Sequence, residues 1–368
     1  MQNITTELEY WFWLCNIDGI GSRKIQELLA YFKRPEVIYR LKVEEIKSAV
    51  YLNERQWIGL KESKKDEKWK NKLEQARKKG IRMVTYFDPE YPSYLMPLPD
   101  KPILLYYFGK LPTRQRKMAA IIGARNCTRY GYSIAEEIGK ILGKNGVDTV
   151  SGMARGIDAA GQWGTLEGGG ESYGILGCAV DICYPRENRQ LYDALIEKGG
   201  IISEFGPGIQ PYASNFPMRN RIISGLSDFV IVVEAKERSG SLITVDFALE
   251  QGKEVYAVPG RITDQLSLGC NRLIAQGAGI LSDLESILED FNINKRKNET
   301  KVTKFEIELA EPEKLLYSDL GFEPKNIQTL MEDTNWSFLE LTETLLSLQL
   351  NDLIEEPIKG YYVKKQKQ

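Results

Sequence analysis

The chain has 368 residues, 42% hydrophobic and 27% charged, with a formal net charge of -2, the balance of an ordinary globular protein large enough for two or three domains. It contains no histidine, which excludes a Ser-His-Asp triad, an H-E-x-x-H zinc site and any histidine acid–base step. Cys15, Cys127, Cys178, Cys183 and Cys270 are scattered without a C-x-x-C pair, and no apolar run is long enough to span a bilayer. No disulfide framework, metal, cofactor or membrane association is therefore expected, and a cytoplasmic location follows.

In chain order, residues 8–31 show helical apolar spacing interrupted by Ile17-Asp18-Gly19-Ile20-Gly21. That reads as two short helices joined by a glycine turn, either a helix-hairpin-helix with amides open to phosphate or a plain reversal of the chain. Residues 61–82 are rich in lysine, but interleaved Asp66, Glu67 and Glu74 favour a solvated helix face over a DNA groove. The stretch Asp88-Pro89-Glu90-Tyr91-Pro92 reads as a linker.

Between about 100 and 285, short β-branched runs at 119–122, 148–150, 173–176, 200–203, 229–234, 254–258 and 279–281 alternate with amphipathic helical runs. Repeated strand–helix–strand units with right-handed crossovers predict a doubly wound, Rossmann-like α/β domain with a mostly parallel sheet. Ligands of such sheets sit at the carboxyl ends of the strands. The segment 290–311 is charged and poor in large apolar residues and reads as a linker. The remainder, with helical leucine spacing and a final 358–363 hairpin, predicts a winged-helix-like module. The expected organisation is thus a small helical domain at 1–84, a Rossmann-like domain at 85–289, the linker, and a last domain at 312–368.

Four loops after strands carry the same chemistry. They contain Gly123-Ala124-Arg125; Ser151-Gly152-Met153-Ala154-Arg155-Gly156-Ile157-Asp158; Asn215-Phe216-Pro217-Met218-Arg219-Asn220-Arg221; and Arg238-Ser239-Gly240-Ser241-Leu242-Ile243-Thr244. None is a G-x-G-x-x-G or a G-x-x-x-x-G-K-[ST], so no dinucleotide or ATP phosphate cradle is written here. Glycine amides, serine hydroxyls, arginines and an aromatic at one sheet edge suit a phosphodiester chain with bases to stack.

These loops, together with Gly174-Ile175-Leu176-Gly177, Tyr184-Pro185-Arg186-Glu187-Asn188, Ser203-Glu204 and Val258-Pro259-Gly260, resemble the DprA/Smf family in order and spacing over roughly residues 85–285. The resemblance implies a homodimeric protein that does no covalent chemistry. It would bind and protect incoming single-stranded DNA and load the RecA recombinase during natural transformation. It further implies that Arg125 and the amides near Gly123 and Gly152 hold phosphates, that Arg219 and Arg221 add charge or pin the loop, and that Phe216 stacks a base. Ala124, Ser151, Ala154, Gly156, Pro217, Asn220, Ser239, Gly240 and Ser241 complete the expected interface, Asn220 chiefly as a loop-holding residue. One of Arg219 and Arg221 is expected to pair with Glu204 or Glu234. The chain departs from the family at Gln162, where a histidine is usual, and at Ala124, where a small hydroxyl residue is common.

Two rival functions are weighed. The family's fold is similar to that of nucleotide phosphoribohydrolases, which carry P-G-G-x-G-T-x-x-E, but here Phe247 stands three residues beyond Thr244 where the acid would be. A sequence-specific duplex regulator is disfavoured because Asn335, Trp336, Ser337 and Glu340, at the predicted recognition helix, include no lysine or arginine.

Overall fold

The computed structural model describes residues 7–283, 288, 289, 293, 310–321, 324–351 and 353–365. The expected 290–311 linker lies almost wholly outside them. Contacts divide the chain into two compact units, 1–296 and 297–368.

The first unit opens with six helices, α1 (Glu7–Cys15), α2 (Ser22–Phe32), α3 (Pro35–Arg40), α4 (Val43–Ala49), α5 (Glu54–Lys65) and α6 (Lys68–Lys78). Their apolar faces, led by Trp11, Phe12, Trp13, Leu28 and Leu60, share one core with Ile103, Leu176 and Ile201 of the sheet region. The glycine turn between α1 and α2 is covered: Arg55 lies over Gly19 and pairs with Asp18 at 3.1 Å. Several α6-region lysines are likewise neutralised, Lys68 by Asp66, Lys70 by Glu67 and Lys78 by Glu74.

Nine strands follow: β1 (Arg82–Thr85), β2 (Leu104–Gly109), β3 (Met118–Ile122), β4 (Asp148–Ser151), β5 (Ser172–Ile175), β6 (Gly199–Ser203), β7 (Phe229–Val232), β8 (Glu254–Ala257) and β9 (Gly279–Ile280). They form one sheet in the order β1-β2-β6-β5-β4-β3-β7-β8-β9. The seven strands from β6 to β9 are parallel, as the sequence pattern predicts; β1 and β2 add an antiparallel edge that the pattern does not show. The Asp88–Pro92 stretch, read as a linker, lies between β1 and β2, with Asp88 accepting the Thr85 amide at 2.7 Å. All five residues of β3 are buried, the mark of a central strand covered on both faces.

The crossovers are α7 (Arg129–Lys144), α8 (Ile157–Glu167), α9 (Arg189–Lys198), α10 (Asn215–Leu226), α11 (Gly240–Glu250) and α12 (Leu268–Ala275). Helices α7 and α8 touch backbone to backbone: a Cβ at Gly164 would stand 1.9 Å from the Glu136 carbonyl oxygen, so only glycine permits this approach. Gln162, at the family's histidine position, is buried in α8 and donates to the Tyr173 carbonyl at 3.0 Å, holding helix to sheet. The order of strands reverses at β3. The chain runs from β3 outward to β6, then crosses back so that β7 pairs on β3's other side, leaving a crevice beyond the carboxyl ends of β3 and β7.

The second unit contains α13 (Glu311–Asp319), α14 (Ile327–Thr334) and α15 (Phe338–Leu350), with β10 (Lys325–Asn326), β11 (Ile354–Ile358) and β12 (Tyr361–Lys364) as an antiparallel sheet ordered β10-β12-β11. Three helices closed by such a ribbon form a winged helix. Asn326 caps α14, accepting the Gln328 and Thr329 amides, and a reciprocal Ser337–Glu340 capping box opens α15. Leu316, Leu330, Leu341, Leu345 and Leu348 make the core.

Candidate nucleic-acid interface

At the switch point the loops enclose an open cleft of about 900 Å³. Its floor comes from Gly123, Ala124 and Arg125 after β3 and from Ala154 after β4; Phe216, Pro217, Arg219 and Asn220 of α10 form one wall. Lys236, Arg238, Ser239, Gly240 and Ser241, leading into α11, form the other.

Each loop is fixed by its own bonds. The Ala124 amide donates to the Glu234 carbonyl at 2.7 Å, and the Ile157 amide returns to the Ala124 carbonyl at 3.3 Å. Gly156 has φ +75, and a Cβ there would stand 2.4 Å from the Ala124 oxygen, so a glycine lets the β4 loop pass behind the β3 loop. The Glu234 carboxylate accepts the Thr128 amide at 2.9 Å at the start of α7. Asp158, buried, accepts the Gly152 amide at 3.0 Å and the Ala154 amide at 3.4 Å. Burial pushes its carboxyl up from the ordinary aspartate range, with the nearby Arg219 guanidinium opposing.

The two predicted arginines of α10 divide. Arg219, buried, donates to the Gly152 carbonyl at 3.0 Å and also to the Ile175 carbonyl, tying the ends of β4 and β5 together. Burial draws its pKa down to about 10, which leaves it charged at neutral pH. Arg221 does not line the cleft. It forms a fork onto Glu204 at 2.9 and 2.8 Å and bonds Asp100 at 2.9 Å. Burial pushes Glu204 upward and Arg221 offsets that push.

Three predicted positions are also engaged elsewhere. The Ser151 hydroxyl donates to the Ile121 carbonyl at 2.7 Å, beneath the floor, and the Gly152 amide expected to meet phosphate serves Asp158. Asn220 donates to the Gly240 carbonyl at 3.4 Å, bracing α10 against α11.

What faces the opening is cationic and aromatic. Arg125, Lys236 and Arg238 are exposed and have no carboxylate partner among the described residues. Beside them α11 begins with no acid in its first turn, its positive end turned to the cleft, and Ser239 caps it through the Ser241 amide. The Phe216 ring is only part-exposed. Tyr184 lies 5.5 Å from it, Arg125 caps it at 5.6 Å and Arg219 at 6.0 Å. The more open ring is Tyr184, 39% exposed. Sequence reasoning placed Tyr184 in a family motif but assigned it no site role, and did not point to Lys236. The available signal was a lysine soon after the Phe229–Val232 run, placed much as Arg125 is after β3.

Asp158 is the one carboxylate among the lining residues, and two amides of its own loop hold it. Among the described residues no group of three or more acid or cysteine side chains is arranged for a metal ion, and no helix is long and apolar enough to cross a membrane. The arrangement suits a polyanion carrying planar rings, with phosphates on the free cations and the helix end and rings against Tyr184 and Phe216.

Residues 82–292 match the model of the family described as DNA recombination-mediator protein A. The DNA processing protein DprA of Streptococcus pneumoniae is 42% identical over 204 residues, 55% of this chain and 72% of that protein. The X-ray structure of DNA processing protein A from Streptococcus pneumoniae superposes with a TM-score of 0.66 at 33% identity, over 77% of this chain and 97% of that one. DNA processing protein A of Helicobacter pylori, studied for its unique single-stranded DNA binding mode, gives a TM-score of 0.52 at 27% identity, over 58% of this chain and 96% of that one.

Proposed function

Because this chain belongs to the DNA recombination-mediator protein A family, known as DprA/Smf, we propose that it binds single-stranded DNA in the switch-point cleft and acts without covalent chemistry. One observation carries this reading: the cations Arg125, Lys236 and Arg238, none with a carboxylate partner among the described residues, line one cleft with the amino end of α11 and the Tyr184–Phe216 ring pair, Arg125 lying over Phe216. Phosphates at about one per base and a ring to stack on meet both requirements of a single strand, whereas a duplex hides its rings. A gel shift comparing an oligonucleotide with its duplex at two salt concentrations tests it. Strand-selective, salt-sensitive binding is expected; equal affinity for both forms overturns it.

Family membership further supports a homodimer that protects incoming strands and loads the RecA recombinase on them during natural transformation. A strand-exchange assay on strands coated with a single-strand-binding protein is the test, and acceleration is expected. The rival hydrolase reading is carried only by the shape of the crevice. Phe247 stands at the acid's position, and Asp246 and Glu250 are exposed outside the cleft lining. Sustained turnover of a nucleoside monophosphate, abolished by change at either acid, would establish that rival.

A further inference from the structure

The winged-helix unit exposes a face that duplex recognition does not explain. Along α15, Leu341, Leu345 and Leu348 turn inward, while Leu339, Leu346 and Leu350 are 67%, 56% and 79% exposed. Positions 339, 346 and 350 recur at the spacing of one helix face and extend for about 16 Å, roughly three turns. A row of three solvent-facing leucines is unlike the isolated apolar residues of an ordinary surface.

The charge around the row is of one sign. Helix α15 contains no lysine or arginine, and Glu343 falls within the row itself, one turn after Leu339 and three residues before Leu346. On the same side Glu340 opens the helix, and Glu313 of α13 is bonded by the Ser347 hydroxyl. Residues 310–368 as a whole hold eleven acids against six bases. In a winged helix this third helix is the one that enters the major groove, where acids would meet phosphate. A symmetric pairing of the same face with a second copy, its two-fold axis at the middle of the row, would bring Glu343 toward its own counterpart, since residues at the axis of an isologous contact meet themselves.

We propose that the Leu339–Leu346–Leu350 face is a docking surface for a basic amphipathic helix of another protein, about three to four turns long, with its apolar side on the leucines and its lysines or arginines beside Glu340, Glu343 and Glu313. The mode is helix-on-helix packing, with charge setting orientation and partner choice.

The probe is a fluorescein-labelled synthetic peptide of about 15–18 residues, long enough to be helical, with leucines on one face and lysines on the other. Its controls are a leucine/glutamate counterpart and a scrambled leucine/lysine sequence. Binding to the full-length chain is read by anisotropy. The lysine peptide should bind and both controls should fail. Leu346→Asp should weaken it at least roughly tenfold, the order expected for one leucine buried in the contact. Glu343→Lys, which leaves every leucine in place, should also weaken binding and flatten its salt dependence. Circular dichroism checks that both variants are folded. The proposal is overturned if the lysine peptide does not bind, or if it binds Leu346→Asp as well as the unaltered chain. It is equally overturned if Leu346→Asp lowers the sedimenting mass, showing a second copy on this face, or abolishes duplex binding.

Discussion

Arg125 and Arg221 are both arginines beside the same crevice, yet replacing each by alanine should injure different properties. Arg125 is exposed, without a carboxylate partner among the described residues, and lies over the face of Phe216 at 5.6 Å. Such an exposed cation–π contact is worth about 0.5–1 kcal/mol, so Arg125→Ala should leave stability nearly intact. If Arg125 holds a phosphate, its loss removes a charge-assisted hydrogen bond worth roughly 1.5–3 kcal/mol, or about ten- to a hundredfold in affinity. One fewer counterion would be released, lowering the log–log salt slope by about 0.7 for a single strand. Arg221→Ala instead leaves the Glu204 carboxylate without its fork of two bonds in a buried setting, a loss of roughly 3–5 kcal/mol of stability. Its salt slope should not change. Anisotropy with a labelled oligothymidine at several salt concentrations reads the first effect, and urea unfolding reads the second. An Arg125→Ala protein that stays folded and keeps both affinity and slope refutes the assignment of the cleft, as does an Arg221→Ala protein that loses affinity without losing stability.

Tyr184→Ala and Phe216→Ala should each lower affinity for a single strand by about 1–3 kcal/mol with the salt slope unaltered, because stacking releases no counterions; the same titration checks this. Gly164→Ala should lower the melting temperature through overpacking of about 1–3 kcal/mol, since the added methyl meets the Glu136 oxygen at 1.9 Å, whereas Gly240→Ala, with open space around it, should not. Asp158→Asn tests the buried carboxyl. A carboxyl whose folded pKa is raised binds protons more readily in the fold, so its contribution is greatest below the unfolded value and is lost as pH rises through the folded one. The stability of Asp158→Asn relative to the unaltered chain should therefore improve from pH 4 to pH 7, measured by urea unfolding, and a constant difference would show that the fold does not raise this pKa.

Strands β3 to β7 were legible because their short runs are buried on both faces. Strands β1 and β2 were not, because their place depends on β2 pairing with β6, a contact nearly a hundred residues away that no local pattern records. Helix α7 starts at Arg129, ahead of the amphipathic run that announced it, because Thr128 caps it; Gly131, which argues against a helix locally, is there to clear the Glu234 carboxylate. Helix α10 starts at Asn215 because Pro217 falls in its first turn, where its missing amide costs nothing. The loops that meet at the cleft could be named from their small residues and cations. The opposed directions of Arg219 and Arg221 could not be named without the start of α10, since only a helix sets residues two apart on different faces. Tyr184 was legible as part of a family motif but not as a site residue, because the path of the loop after β5 has no periodicity to read.

The reversal of strand order at β3 also governs the order in which this molecule can be made. One edge of β3 is covered once Asp148–Ser151 has been synthesised, but the other waits for Phe229–Val232. At the usual rate of about 5–20 residues per second, this fully buried central strand spends on the order of ten seconds on the ribosome with one side bare. A bare apolar strand is a template for pairing with other chains, so a product released just before residue 229 should aggregate where the complete chain does not. Until β7 is in place the second wall of the cleft does not exist either, so if the proposed site is right a nascent chain cannot engage a strand there before residues 229–241 have been made.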